Sequence, residues 1–232
     1  MLKRTTYAFA ILIILISFCK PSYATSSYGT HIPEDEKWTC GLEANILVDR
    51  NLDNDTGGTE GNRYFFALSY AVFPWLSLDG KAGVGDVEWN RTDSNNDISY
   101  DTNFAGAYGF RIKGLAIEEW GIKSILGFQH ISVHPDPKDQ DSIKHEAIID
   151  EWNGTFLISK DIGRFVPYMG GRFGSLDFIK WEDEKDRKRI HSEKYYGLVT
   201  GMDYQINDTT RINIEATLID GEELAIGIMH DF

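Results

Sequence analysis

Large apolar side chains recur at every second residue through most of this chain, and a period of two restricts it to strands with two unlike faces. Ile212, Ile214, Ala216 and Leu218 alternate with Arg211, Asn213, Glu215 and Thr217. Leu224, Ile226, Ile228, His230 and Phe232 alternate with Glu223, Ala225, Gly227, Met229 and Asp231. Phe66 to Val72, Phe104 to Ile112 and Tyr196 to Tyr204 follow the same rule. One face is large and apolar. The other is Gly and Ala with single charges among them, where a water-soluble sandwich would carry Thr, Lys and Ser. Small and ionic residues suit the confined interior of a small closed barrel, and the apolar face suits hydrocarbon. Aromatic residues make up 13 % of the chain. Tyr64, Tyr70, Trp75, Trp89, Trp120, Trp152, Tyr168, Trp181 and Tyr204 lie at or near strand ends, where girdles at the two membrane interfaces would place them. The expected fold is all-β, a closed antiparallel transmembrane β-barrel.

Strands are expected at 39–49, 64–73, 75–89, 99–113, 120–133, 146–160, 164–180, 190–206, 209–219 and 222–232, which makes ten. Each exceeds the 9–11 residues that a tilted crossing needs. The connections after even-numbered strands are tight: Pro74, Leu115 to Glu119, Asp161-Ile162-Gly163 and Asn207-Asp208. Those after odd-numbered strands are mostly long and polar: Arg50 to Arg63, Asn90 to Ile98, His134 to His145 and Trp181 to Arg189. Long loops on one side and short turns on the other is the outer-membrane arrangement, with the long loops outside. Asp220-Gly221 breaks the rule, being tight on the expected external side. Residues 141–152 admit a second reading, a short helix capped at Ser142 with Ile143, Ala147 and Ile148 on one face. Loop then strand is preferred there, and eight strands is the fallback if the segment leaves the wall.

Residues 1–24 read as a cleaved signal peptide: Lys3 and Arg4, then the apolar run Ala8 to Ile16, then Ser22-Tyr23-Ala24 with small residues at −3 and −1. The run is shorter than the roughly 20 residues of a spanning helix. Cys19 follows Phe18, where a lipoprotein signal needs a small residue. Cleavage after Ala24 leaves a periplasmic N-terminal segment, 25–38, and a barrel, 39–232, in the outer membrane of a Gram-negative-type bacterium. It also removes three positive charges and no acid, so the net charge of −13 becomes −16. A chain this acidic is a poor nucleic-acid binder. One cysteine remains, Cys40, so no internal disulfide can form.

Alternation turns Asp79, Lys81, Arg111, Lys113, Lys123, Glu151, Arg172, Asp203, Arg211, Glu215 and Asp231 inward. Such charges either pair and fill the lumen or line a narrow pore. The external loops hold Asp49, Asp53, Asp55, Glu60, Asp93, Asp97, Asp101, Asp136, Asp139 and Asp141, read as solubilising charge that divalent cations could bridge to lipopolysaccharide phosphates. His134-Pro135-Asp136-Pro137 stops a strand. No metal site and no cofactor is expected.

These residues resemble the small outer-membrane barrel superfamily, the opacity-type and OmpA-like transmembrane domains. Leu224, Ile226, Ile228 and the final Phe232 are similar to the C-terminal signal read by the barrel-assembly machinery, although His230 stands where an aromatic is commoner. Phe165-Val166-Pro167-Tyr168-Met169-Gly170-Gly171 resembles the family's aromatic-x-Pro-Tyr-x-Gly-Gly strand start, and Tyr70 to Leu78 its short periplasmic hairpin. A second likeness is local. His130 and Ser132 share a strand face with Leu126 and Phe128, as in the lipid A 3-O-deacylases, which work on lipid from the outer wall. That likeness implies Ser132 as nucleophile and His130 as its base, oriented by an acid such as Glu146. Here Val133 replaces that family's Asn, and the pair lies far from the chain's end. The expectation is a structural or surface-interaction barrel working through its external loops. A narrow charge-lined, porin-like pore and then a lipid A hydrolase are the alternatives.

Overall fold

The computed structural model describes residues 29–92, 96–140, 142–183 and 185–232. The signal-peptide reading of residues 1–24 falls outside them.

Ten strands form the wall, in chain order β1 (Trp38–Asn51), β2 (Gly58–Phe73), β3 (Leu76–Asn90), β4 (Ile98–Ile117), β5 (Ile122–Val133), β7 (Ile143–Lys160), β8 (Phe165–Glu182), β10 (Tyr196–Gln205), β11 (Thr210–Leu218) and β12 (Glu222–Asp231). Two shorter strands, β6 (Lys138–Gln140) and β9 (Lys185–His191), belong to long loops and pair with β7 and β8. Each wall strand is antiparallel to its neighbours, and β1 pairs with β12 from Thr39↔Asp231 to Asp49↔Glu222. That last pairing closes the ring and removes both edges, so backbone polar groups in the wall are satisfied without water. Residues 143–152 are strand, so the wall has ten strands and not eight. No helix of the described residues is long and apolar enough to cross a membrane.

Alternation is read out directly as burial. In β7 Ala147, Ile149, Glu151, Asn153, Thr155, Leu157 and Ser159 are buried, while Trp152, Phe156 and Ile158 are exposed on the outer surface. Leu42, Phe66, Leu78, Phe104, Phe110, Leu126, Phe173 and Ile226 are likewise exposed, so the outer wall is a continuous apolar surface. A surface of that size is compatible with lipid and costly in water.

The inside is not uniformly small and ionic. Toward the long-loop end Leu47, Phe65, Val87, Trp89, Ile98, Tyr100, Ile131, Val133, Ile149, Leu176 and Phe178 pack into a dry plug. Bulges produce part of it. Register shifts on β1 between Leu47 and Arg50, and on β4 between Tyr100 and Asn103, each put one extra residue into the strand and change its phase. The change turns Arg50 and Leu52, and Ile98 and Tyr100, inward. Trp89 keeps the inward phase of Asp79 and Lys81 along β3 and is an interior residue, 3 % exposed, not a girdle aromatic. Tyr168 is interior as well, at 4 %.

Two boundaries differ from expectation. Glu118–Trp120 is a 3-10 turn closed by Gly121 at φ 61, so the fifth strand begins at Ile122. The expected strand 190–206 is two pieces, because β8 exchanges its partner from β10 (Tyr196↔Phe173) to β9 (Asp177↔His191) as it leaves the wall. The tight Asp220-Gly221 turn has a physical reason. The Asp220 carboxylate is drawn inside the barrel, where it meets Arg172 and Arg50.

Candidate functional site

Beside the plug, six charged side chains from five strands and one turn meet in the lumen. Arg172 donates to Asp220 Oδ2 through Nη2 (2.7 Å) and Nε (2.9 Å), and Arg50 Nη1 lies 3.1 Å from the same oxygen. Glu151 faces Arg63 at 3.3 Å, Arg172 at 3.4 Å and Arg50 at 3.7 Å, and Arg63 also reaches Glu223 at 3.4 Å. All six side chains are essentially inaccessible to water. In that environment each charge depends on its partners for solvation.

Toward the short-turn end the polar interior continues. Lys81 donates to Glu43 (2.6 Å), and Arg111 clasps Asp79 through Nη2 (2.7 Å) and Nε (2.9 Å) while donating to Ser69 Oγ (3.1 Å). Tyr168 donates its hydroxyl proton to Glu215 (2.7 Å) and accepts from Asn213 Nδ2 (2.8 Å), which also donates to Asp203 (2.8 Å). The last layer is supplied by the N-terminal segment. Thr30 donates to Asp203 through N (3.2 Å) and Oγ1 (3.0 Å), Arg111 donates to the His31 carbonyl, and His31 Nε2 lies 3.2 Å from Asp231. Ile32 and Pro33 are buried beside them.

Of the charges expected inside, Asp79, Lys81, Arg111, Glu151, Arg172, Asp203, Arg211 and Glu215 are buried in the lumen, and Asp231 is half-buried at its short-turn mouth. Lys113 and Lys123 are exposed instead. Both sit on inward-facing positions, opposite Ile125 and Ser159, but past the packed layers. There Lys123 pairs with Asp161 at 2.7 Å. Arg50, Arg63, Glu43, Asp220 and Glu223 complete the network. Arg50 and Arg63 were assigned to loop ends; carrying the alternation one step past Tyr64 would have found Arg63. Among the assembly-signal residues, Ile226, Ile228 and Phe232 are exposed on the outer wall and Leu224 is half-buried.

A separate polar cluster lies on the outer wall at the long-loop side of β5 and β7. Ser132 Oγ donates to Asp150 Oδ1 (2.5 Å), His130 Nε2 lies 3.7 Å from the same oxygen, and the His130 ring packs at 4.0 Å on Trp152 and 5.0 Å on Tyr108. Ser132 Oγ also contacts His134 Nε2 at 2.9 Å. With the serine proton committed to Asp150, the His134 ring must donate in that contact, the reverse of a general base. Asp150 stands where Glu146 was expected. Glu146 lies four residues along β7, paired with Lys144 at 3.0 Å. Among the described residues, no group of three or more His, Cys, Asp or Glu is arranged to hold a metal ion.

Closed wall, apolar exterior and charge-paired interior define a transmembrane β-barrel. No protein-family model matches the chain, and no curated protein matches it in sequence. Similar solved structures include the translocator domain of the autotransporter NalP from Neisseria meningitidis, at 8 % identity and TM-score 0.49 over 88 % of this chain and 90 % of that one. The transport unit of the autotransporter AIDA-I from Escherichia coli follows at 11 % identity and 0.44 over 90 % and 92 %. The outer membrane protease OmpT from Escherichia coli is at 11 % and 0.40 over 89 % and 100 %. At these values no activity transfers from any of them.

Proposed function

We propose that this chain is an outer-membrane β-barrel with a sealed lumen, a structural anchor whose long-loop end is the working surface. One observation carries the reading: the interior is occupied layer on layer, from the apolar plug through the Arg50–Glu151–Arg172 network to Thr30 and His31. A sealed interior leaves the long-loop end as the part free to meet partners, and loops on a rigid scaffold are where binding residues concentrate. The signal-like N-terminus and the apolar wall support export and membrane insertion, and the Leu224-to-Phe232 row supports recognition by the barrel-assembly machinery. The chain's motifs support an opacity-type member of the small outer-membrane barrels, with lipopolysaccharide as the neighbouring lipid.

The narrow-pore alternative requires an open polar path, and the plug on one side of the lumen and the buried ion network on the other speak against one. The hydrolase alternative requires Ser132 to donate to a histidine base, and its hydroxyl donates to Asp150 instead. Single-channel recording in planar bilayers tests the reading. The refolded barrel gives no stepwise conductance; regular, reproducible steps would overturn the sealed-lumen reading in favour of the pore.

A further inference from the structure

The long-loop end carries a hollow of about 480 Å³ between the β1–β2 loop and the β8–β9 hairpin, a size that suits a small molecule. Beneath it lies the Trp89 indole, 3 % exposed, whose Nε1 donates to the Thr56 carbonyl at 3.1 Å and whose ring packs on Phe178 at 5.4 Å. The ammonium of Lys180 sits 3.8 Å from the centre of that ring, and the Arg91 guanidinium lies 5.1 Å from it. Lys188 and Arg189 line the hollow from β9, with Asp55 opposite. Lys180 and Lys188 are direct cross-strand partners on one face. The pair sets two cations side by side at the hollow, a placement that suits an anionic ligand.

The charge is local and runs against the molecule. The whole chain carries −13, and a second hollow nearby, lined by Asp49, Asp53, Asp55 and Glu193, is acidic. The hairpin that supplies Lys180, Lys188 and Arg189 is also held in place. Ile190 packs against the plug, Asp53 N donates to the His191 carbonyl at 2.8 Å, and Leu52 bridges to Ser192. A preformed cationic hollow needs little ordering on binding.

We propose that this hollow is a binding site for an oxyanion, a carboxylate or phosphate borne by an extracellular ligand such as an acidic sugar. Lys180 and Lys188 supply the charge, and the Trp89 ring beneath holds the Lys180 ammonium in place. The proposal rests on the surface-interaction reading and gives it a ligand class. Isothermal titration of the refolded barrel in detergent, with glucuronate and with inorganic phosphate as probes, tests it. Saturable binding at low salt is expected for at least one probe, weakening as salt is raised. The Lys188→Glu/Arg189→Glu double variant weakens it about tenfold or more, while Lys123→Glu, at the opposite end, leaves it unchanged. Response to glucuronate alone assigns the carboxylate, and response to phosphate alone assigns the phosphate. Lys188→Gln serves if the double variant does not fold. Absence of saturable binding by both probes overturns the proposal, as does binding that these variants do not weaken. Heat-modifiable migration on a gel reports the folded barrel whether or not anything binds, so a failed pocket is told apart from a failed barrel.

Discussion

Glu151 faces three arginines, at 3.3, 3.4 and 3.7 Å, with 1 % of its side chain exposed. An ion network without water is held by the completeness of its partners. Removing one carboxylate leaves uncompensated cations, at a cost of about 3–5 kcal/mol. Glu151→Ala is therefore expected to lower the unfolding free energy of the barrel, read from urea titration in lipid vesicles, by that much. Asp161→Ala removes an ion pair of shorter distance, 2.7 Å to Lys123, but between side chains 39 % and 55 % exposed. Its cost is within about 1 kcal/mol. Equal losses in the two variants would mean that the lumen is wet. Gly201 makes a second residue-scale point. A Cβ there would stand 2.3 Å from Tyr168 Cζ, so the ring lies across bare backbone. Gly201→Ala pushes that ring off its hydrogen bonds to Glu215 and Asn213 and is expected to cost about 1–3 kcal/mol in the same assay.

At the scale of elements, the N-terminal segment is a stopper of few contacts. Thr30, His31 and Ile32 close the short-turn mouth through Asp203, Asp231 and Arg111. Deleting residues 29–33 removes a few partly buried hydrogen bonds, each with a net value of about 1 kcal/mol. A modest fall in midpoint is expected, with no conductance, because the Arg50–Glu151–Arg172 layer lies further in. Channel steps in the deletion variant would show that the stopper, and not the ion layer, forms the seal. The strands themselves were legible from alternation and turn chemistry, including the doubtful stretch at 143–152. The plug was not. Pattern reading assumes unbroken phase, and bulges at Leu47/Arg50 on β1 and at Tyr100/Asn103 on β4 reset it, carrying Leu52, Ile98 and Tyr100 to the inside. Val87 and Trp89, in contrast, simply continue the phase of Asp79 and Lys81. The outer-wall cluster was half legible. His130 and Ser132 do share a face, but their acid comes from the register Ser132↔Asp150, which pairing across strands decides.

For the whole molecule, the physical question is which solvent the wall meets. Phe156 lies between Trp152 and the short-turn end of β7, 47 % exposed, flanked across the wall by Leu126 and Gly171. In water, Phe156→Arg would replace an exposed apolar group with a soluble one, an effect within about 0.5 kcal/mol. In a bilayer the same guanidinium is held near mid-wall, where a barrel loses about 2–4 kcal/mol for a lipid-facing cation. Gln140→Arg in β6 lies beyond the apolar surface, so its effect is small in either solvent. The expected result in lipid vesicles is a large loss for Phe156→Arg and almost none for Gln140→Arg. A Phe156→Arg barrel as stable as the parent would mean that the wall does not meet hydrocarbon at this position. The apolar exterior would then need a protein partner in place of lipid.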